Sequence, residues 1–169
     1  LSAKSHINLT ALGGGVGKTE AIRVLANDVT VNVDAKDDTN IIGKVNGDDS
    51  LVLGTVTVAG GSFKAETDND IAVGSVQVKN DITLLSKEGA ITNSSTVTSE
   101  EGSINATAKS DITYNAAITA NKEISLQSTD GNIVSAPVAD AYLDAGSYYT
   151  LQAENGNVGF TDNALRILN

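Results

Sequence analysis

One eleven-residue string recurs along the chain, and its spacing constrains the fold more than any other feature. DITLLSKEGAI (81–91) returns as EISLQSTDGNI (123–133) and as YYTLQAENGNV (148–158), with a fourth copy, HINLTALGGGV, at 6–16. The shared pattern is apolar at position 2, Ser, Thr or Asn at 3, Leu at 4, Ser or Ala at 6, Gly at 9 and Ile or Val at 11. Side chains alternate across a strand with period two, so positions 2, 4 and 6 share a face. A small sixth residue followed by Gly suits a strand that must then turn a tight corner.

The copies begin at intervals that are multiples of a unit of roughly 21–25 residues, the mark of a repeat architecture. In the second half three apolar columns keep that unit: Ile82, Ile104, Ile124, Tyr149; Ile91, Ile112, Ile133, Val158; and Val97, Ile118, Leu143, Leu165. Three short strands per unit, each repeated in register, are what a parallel β-helix requires. A β-sandwich or jelly roll also contains many short strands, but its hairpins give three columns no reason to share one period. The expectation is therefore an all-β, right-handed parallel β-helix of about seven coils, a rod of roughly 34 Å at about 4.8 Å per coil. VTVNV (29–33), LVLGTVTV (51–58) and IAVGSVQV (71–78) read as strands, although the register of residues 26–80 stays ambiguous.

Composition supports this reading. The chain holds 16 Val and 13 Ile, residues that pack well on pleated surfaces, and hydrophobic residues make up 40% of it, too many for disorder. No Cys is present, which excludes a disulfide scaffold and a Cys-ligated metal site. A net charge of -10 repels phosphate backbones, so nucleic acid is not an expected partner. No apolar run approaches the roughly 20 residues of a membrane helix, so this segment is not expected to insert into a membrane. The chain starts at Leu1 without Met and reads as one β-helix segment, 1–169, of something longer.

GGGVGKTEAIRVLA (13–26) imitates the phosphate-binding loop of deviant Walker ATPases, in which backbone N–H groups cradle phosphates and Lys reaches the terminal ones. The first Gly of that motif falls on Leu12, however, and the activating Lys of the deviant form on Gly13. The segment also has an internal partner. HINLTALGGGVGKTEAIRVL (6–25) aligns with YYTLQAENGNVGFTDNALRIL (148–168), setting Val16-Gly17 against Val158-Gly159, Lys18 against Phe160 and Arg23 against Arg166. A phosphate loop cannot exchange its Lys for Phe; a structural corner can. The same alignment suggests a super-repeat and a tandem array, in which an excised piece with no obvious cap would associate end to end.

The DITL and EISL strands, the DGNI and NGNV corners and the V-G-x-T-x-N-A-L-R-I string resemble the repeats of filamentous-haemagglutinin-like exoproteins. These are Gram-negative bacterial surface adhesins exported by two-partner secretion, with related passengers in autotransporters. The resemblance covers most of the chain, best at 1–25 and 75–169. It implies a secreted or cell-surface rod that supports adhesion, with adjacent repeats of the same chain and a host or neighbouring-cell receptor or polysaccharide as partners. The family's N-terminal secretion domain is not among these residues. The alternative is a β-helical polysaccharide-binding or polysaccharide-cleaving protein.

No catalytic, cofactor-binding or metal-binding residue is nominated. The two Arg occupy equivalent repeat positions, which marks a structural role beside an acidic turn. His6 has no second His to share a metal with. Asp34, Asp37, Asp38 and Asp48, Asp49 could offer oxygen ligands to Ca²⁺, but they match no calcium-loop pattern and read as solubilising turns. Tyr142, Tyr148 and Tyr149 could stack on sugars, although parity with Ile82 and Ile124 points Tyr149 into the coil.

Overall fold

A computed structural model describes residues 1–25, 29–44, 49–160 and 164–168. Its strands are β1 His6–Ala11, β2 Ile22–Leu25, β3 Thr30–Ala35, β4 Thr39–Lys44, β5 Leu51–Val58, β6 Phe63–Thr67, β7 Ile71–Val78, β8 Ile82–Ser86 and β9 Ile91–Asn93. Then follow β10 Val97–Ser99, β11 Ile104–Ala108, β12 Ile112–Tyr114, β13 Ile118–Ala120, β14 Glu123–Ser128, β15 Ile133–Ser135, β16 Leu143–Ala145, β17 Tyr148–Ala153 and β18 Ile167–Leu168. The described residues contain no helix.

All strand pairing is parallel, and the chain winds as a β-solenoid of about seven turns. One sheet runs β2-β4-β6-β8-β11-β14-β17; the other runs from β1 through β3, β5 and β7 and ends at β18. Each turn contributes one strand to the first sheet and one long strand, or two short ones, to the second. The core fills the space between, because the inner strands send alternate side chains inward: in β8, Ile82, Leu84 and Ser86 are buried, while Thr83 and Leu85 between them face out.

The columns expected from sequence are in register. Ile82 pairs with Ile104, Ile104 with Ile124 and Ile124 with Tyr149. Ile91, Ile112, Ile133 and Val158 form a second unbroken stack. In the third, Val97, Ile118 and Leu143 are followed by Ile167 rather than Leu165. The position moves by two residues, which keeps the same parity along the strand.

Among the described residues of 26–80, the ambiguous register resolves into a widening bend; 26–28 and 45–48 lie outside them. Asn32 of β3 stands opposite two residues of β5, Gly54 and Thr55, because Val31 pairs with Leu53 and Val33 with Val56. Its side-chain oxygen accepts the Thr55 N–H at 2.9 Å, and its amide donates to Asn8 Oδ1 at 2.9 Å. A Cβ at position 54 would sit 2.3 Å from Asn32 Oδ1, so only Gly fits the bulge. One turn later Gly74 and Ser75 of β7 face three residues, Ser94–Thr96, and the long strand has become two. Asn93 closes that corner: its amide donates to Ser95 O at 2.9 Å and Ala116 O at 3.2 Å, and its oxygen accepts the Asn115 N–H at 3.0 Å. The next turn stacks Tyr114 on Asn93, fully buried, and burial pushes the pKa of its hydroxyl up.

Three other corners share one hydrogen-bonding scheme. Ser86 Oγ donates to Asn69 O at 2.6 Å and accepts the Gly89 N–H at 3.1 Å, while Asp70 Oδ1 accepts the Ala90 N–H at 2.7 Å. Ser99, Asn80, Gly102, Asp81 and Ser103 repeat this, as do Ser128, Ser110, Gly131, Asp111 and Asn132. Of the two amides that leave the strand ladder at each corner, one thus finds the Ser hydroxyl of its own turn and the other the Asp carboxylate of the preceding turn, as buried N–H groups must. Replacing Ser128 with Ala strands the Gly131 N–H and the Ser110 carbonyl. The expected loss is about 1–3 kcal/mol in urea unfolding.

This scheme serves corners on both sides of the solenoid, and the fourth sequence copy shows the consequence. The strands at 81–91, 123–133 and 148–158 all lie in the seven-stranded sheet, whereas β1 lies in the other and pairs with β3. The strings 6–25 and 148–168 therefore occupy different sides of the solenoid.

Candidate functional site

The phosphate-loop imitation folds as a corner. Val16 is buried and its carbonyl accepts the Asn40 N–H at 2.8 Å; Lys18 is exposed, and β2 follows where a nucleotide fold would place a helix. No helix N-terminus stands there to receive phosphate. Gly17 and Gly159, the pair equated by the internal alignment, are the two Gly with positive φ among the described residues, at 69° and 72°. A Cβ on Gly17 would lie 2.4 Å from Asn40 O. The shared V-G string encodes a backbone bend.

Arg23 projects from the outer face of β2 beside Ile42. Arg166 Nη1 donates to Ala139 O at 2.9 Å, tying down the loop between β15 and β16 through a carbonyl rather than an acidic turn. His6 is exposed at the start of β1 with its Nδ1 3.1 Å from Ser5 Oγ. Asp38 Oδ1 accepts the Ser62 N–H at 2.8 Å, the coil-to-coil contact also made by Asp70, Asp81 and Asp111. Asp48 lies outside the described residues. No three His, Asp or Glu side chains gather to hold a metal ion among the described residues.

Charged side chains on the outer faces pair between neighbouring turns. Lys87 bridges Glu66 at 2.7 Å and Asp68 at 3.4 Å, Lys79 reaches Glu101 at 2.6 Å, and Lys109 reaches Glu88 at 2.5 Å. The Lys87 ammonium, hydrogen-bonded to Glu66, holds that carboxyl below its ordinary range, and the lysine is raised in turn. Such exposed pairs contribute about 0–1 kcal/mol each and set the surface pattern more than the stability.

The Tyr residues divide by parity. Tyr149 points inward and spans the last turn: its hydroxyl accepts the Ala145 N–H at 2.8 Å and donates to Leu168 O at 2.6 Å. Tyr148, one residue earlier, stands outside at 58% exposure, stacked in register on Glu123. Its hydroxyl donates to the Glu123 carboxylate, whose negative charge raises the pKa of the phenol, and Thr150 Oγ1 donates to the same carboxylate at 2.9 Å. Gln127 and Gln152 continue this outer face in adjacent positions. An exposed ring beside a carboxylate, a hydroxyl and two amides can meet a sugar's apolar and polar faces together. It offers one carboxylate, not the pair that glycosidic cleavage ordinarily uses.

No family model matches the chain, nor does a curated protein or a solved structure.

Proposed function

We propose that this chain is a structural rod or stalk segment of a large secreted bacterial surface adhesin, carrying a binding surface away from the cell without catalysing a reaction. The observation that carries this reading is where the polar groups go. The corner Asp, Ser and Asn side chains are used in bonds between successive turns, and the outer Lys and Glu pair along the same axis. Such a molecule is organised for length and stiffness. The resemblance of its strand-and-corner strings to filamentous-haemagglutinin-like repeats supplies the setting: the bacterial exterior, two-partner secretion, and a receptor or polysaccharide on a neighbouring surface.

Antibodies against the chain, applied to intact cells of the organism that makes it, test the setting. Label on unpermeabilised cells or in the medium is expected; label that appears only after permeabilisation contradicts it. The outer patch of Tyr148, Glu123 and Thr150 favours a second reading, polysaccharide binding by the rod itself. Affinity electrophoresis in a panel of soluble polysaccharides separates the two. Retardation that Tyr148→Ala abolishes makes the segment a binding module, and unaltered mobility throughout leaves it a spacer.

A further inference from the structure

The corner that follows β17 departs from the corner one turn before it in a way that changes its chemistry. β14 leads into Ser128-Thr129-Asp130-Gly131, and β17 leads into Ala153-Glu154-Asn155-Gly156, with Ser128 and Ala153 in register. In the earlier corner Ser128 Oγ accepts the Gly131 N–H at 3.0 Å, as Ser86 and Ser99 accept those of Gly89 and Gly102 at 3.1 Å. Ala153 has no hydroxyl to offer, and no group among the described residues accepts the Gly156 N–H in its place. The amides on either side are anchored: Asn155 N–H donates to Thr129 O at 3.0 Å, and Asn157 N–H to Asn132 Oδ1 at 3.0 Å. One backbone nitrogen is thus left free directly after an Asn.

The corner holds this pair of residues in place. A Cβ at 156 would collide with Gly131 O, so the position admits no side chain. Gly in turn leaves its nitrogen unshielded beside the Asn155 side chain. Asn155 is exposed, and its amide donates at 3.1 Å to Asp130 Oδ1, also at the surface. That exposure belongs to the corner, whatever turn it lies in. Glu88, Glu101 and Asp130 hold the corresponding position in turns with a further turn stacked on each, and they are exposed as well.

We propose that Asn155-Gly156 is a site of spontaneous deamidation, a covalent modification that the folded chain performs on itself. Asn is among the thermolabile side chains, and here its attacking group is already unbonded. The Gly156 nitrogen gives its proton to solvent base and attacks Asn155 Cγ. The N–Cγ bond forms, the Cγ–Nδ2 bond breaks, and the departing nitrogen takes a proton from water and leaves as ammonia. Water then opens the succinimide at either carbonyl, giving aspartate or isoaspartate. Both products loosen the junction with the preceding turn. Aspartate sets a second carboxylate against Asp130 in place of a hydrogen bond. Isoaspartate lengthens the backbone between the amides of 155 and 157, both of which are pinned to that turn.

Incubation of the folded 169-residue chain at mildly alkaline pH, with tandem mass spectrometry of its tryptic peptides at intervals, tests this. Aspartate and isoaspartate are expected at position 155, at a rate close to that of the same Asn in the chain unfolded in urea. Ala153→Ser, which restores the hydroxyl, is expected to slow conversion of the folded chain about fivefold, the factor that a hydrogen bond of about 1 kcal/mol supplies. The same variant is expected to leave the rate in urea unchanged. A folded chain in which Asn155 persists while the unfolded chain converts overturns the proposal. So does an Ala153→Ser variant, folded by circular dichroism, that converts as fast as the unaltered chain.

Discussion

Ile133→Asp is expected to cost about 4–5 kcal/mol, a large share of the 5–15 kcal/mol that holds a typical domain folded. Ile133 is 0% exposed, in register between Ile112 and Val158, with apolar neighbours above and below in its column. A carboxylate there would lose its water and gain no partner. In a solenoid each turn contacts only its neighbours, so one damaged turn severs the coupling between the halves on either side. Urea unfolding should show a reduced midpoint, and tryptic digestion should cut first near the substituted turn. Thr113→Asp is the matched control. Thr113 faces outward from β12, one residue from the buried Ile112, and its replacement is expected to change stability by less than about 1 kcal/mol. Equal losses at 133 and 113 would mean that inside and outside have been exchanged.

Gly131→Ala is expected to be almost as damaging although it adds a single methyl group. A Cβ at 131 would lie 2.3 Å from the Ser110 carbonyl carbon and 2.4 Å from the Asp111 nitrogen, both backbone atoms of the preceding turn. The backbone must therefore move. That opens the corner in which Ser128 and Asp111 receive the amides of residues 131 and 132. A loss of about 3 kcal/mol is expected in urea unfolding. Gly13→Ala supplies the comparison: nothing lies within 4 Å of a Cβ there, and the expected change is within about 0.5 kcal/mol.

These sites also mark where the sequence was readable. The columns through Ile91, Ile112 and Ile133 are legible because alternation and a common period act together: a one-residue slip would expose every apolar side chain. The placement of β1 was not legible. Its string matches those of β8, β14 and β17, but the strand-and-corner unit makes the same bonds to its neighbouring turn on either side of the solenoid. Likeness of sequence therefore identifies a corner without saying which one. The bulge at Asn32 was hidden because LVLGTVTV alternates on both sides of Gly54 and gives no sign of the parity change.

The candidate site was half legible. Parity alone sent Tyr149 inward, and the structure adds the hydrogen bonds by which it closes the last turn. Tyr114, a fully buried aromatic, passed unnoticed because nothing in its own triplet, ITY, distinguishes an inward Tyr from an outward one. Of the Asp residues read as solubilising turns, Asp38 instead accepts a backbone amide from the next turn, as do Asp70, Asp81 and Asp111. The available signal was their place: Asp38, Asp70, Asp81 and Asp111 each stand immediately before a strand. A solvated turn has no need of that regularity; a carboxylate capping the next turn's amide does. The surface partner of Tyr148 could not be read from sequence, since Glu123 lies a full turn away and meets it only through register.

Distances between spin labels along one outer column test the in-register parallel stack most directly. Thr10, Asp34, Thr57, Gln77, Thr98, Thr119 and Asp144 occupy successive turns of the same column. The chain has no Cys of its own, so paired Cys substitutions label cleanly. Double electron–electron resonance should give backbone separations of about 29 Å between positions 10 and 144 and about 19 Å between 57 and 144, each turn adding about 4.8 Å. A separation between 10 and 144 no longer than that between 57 and 144, as strands folded back in a sandwich would give, would contradict the solenoid.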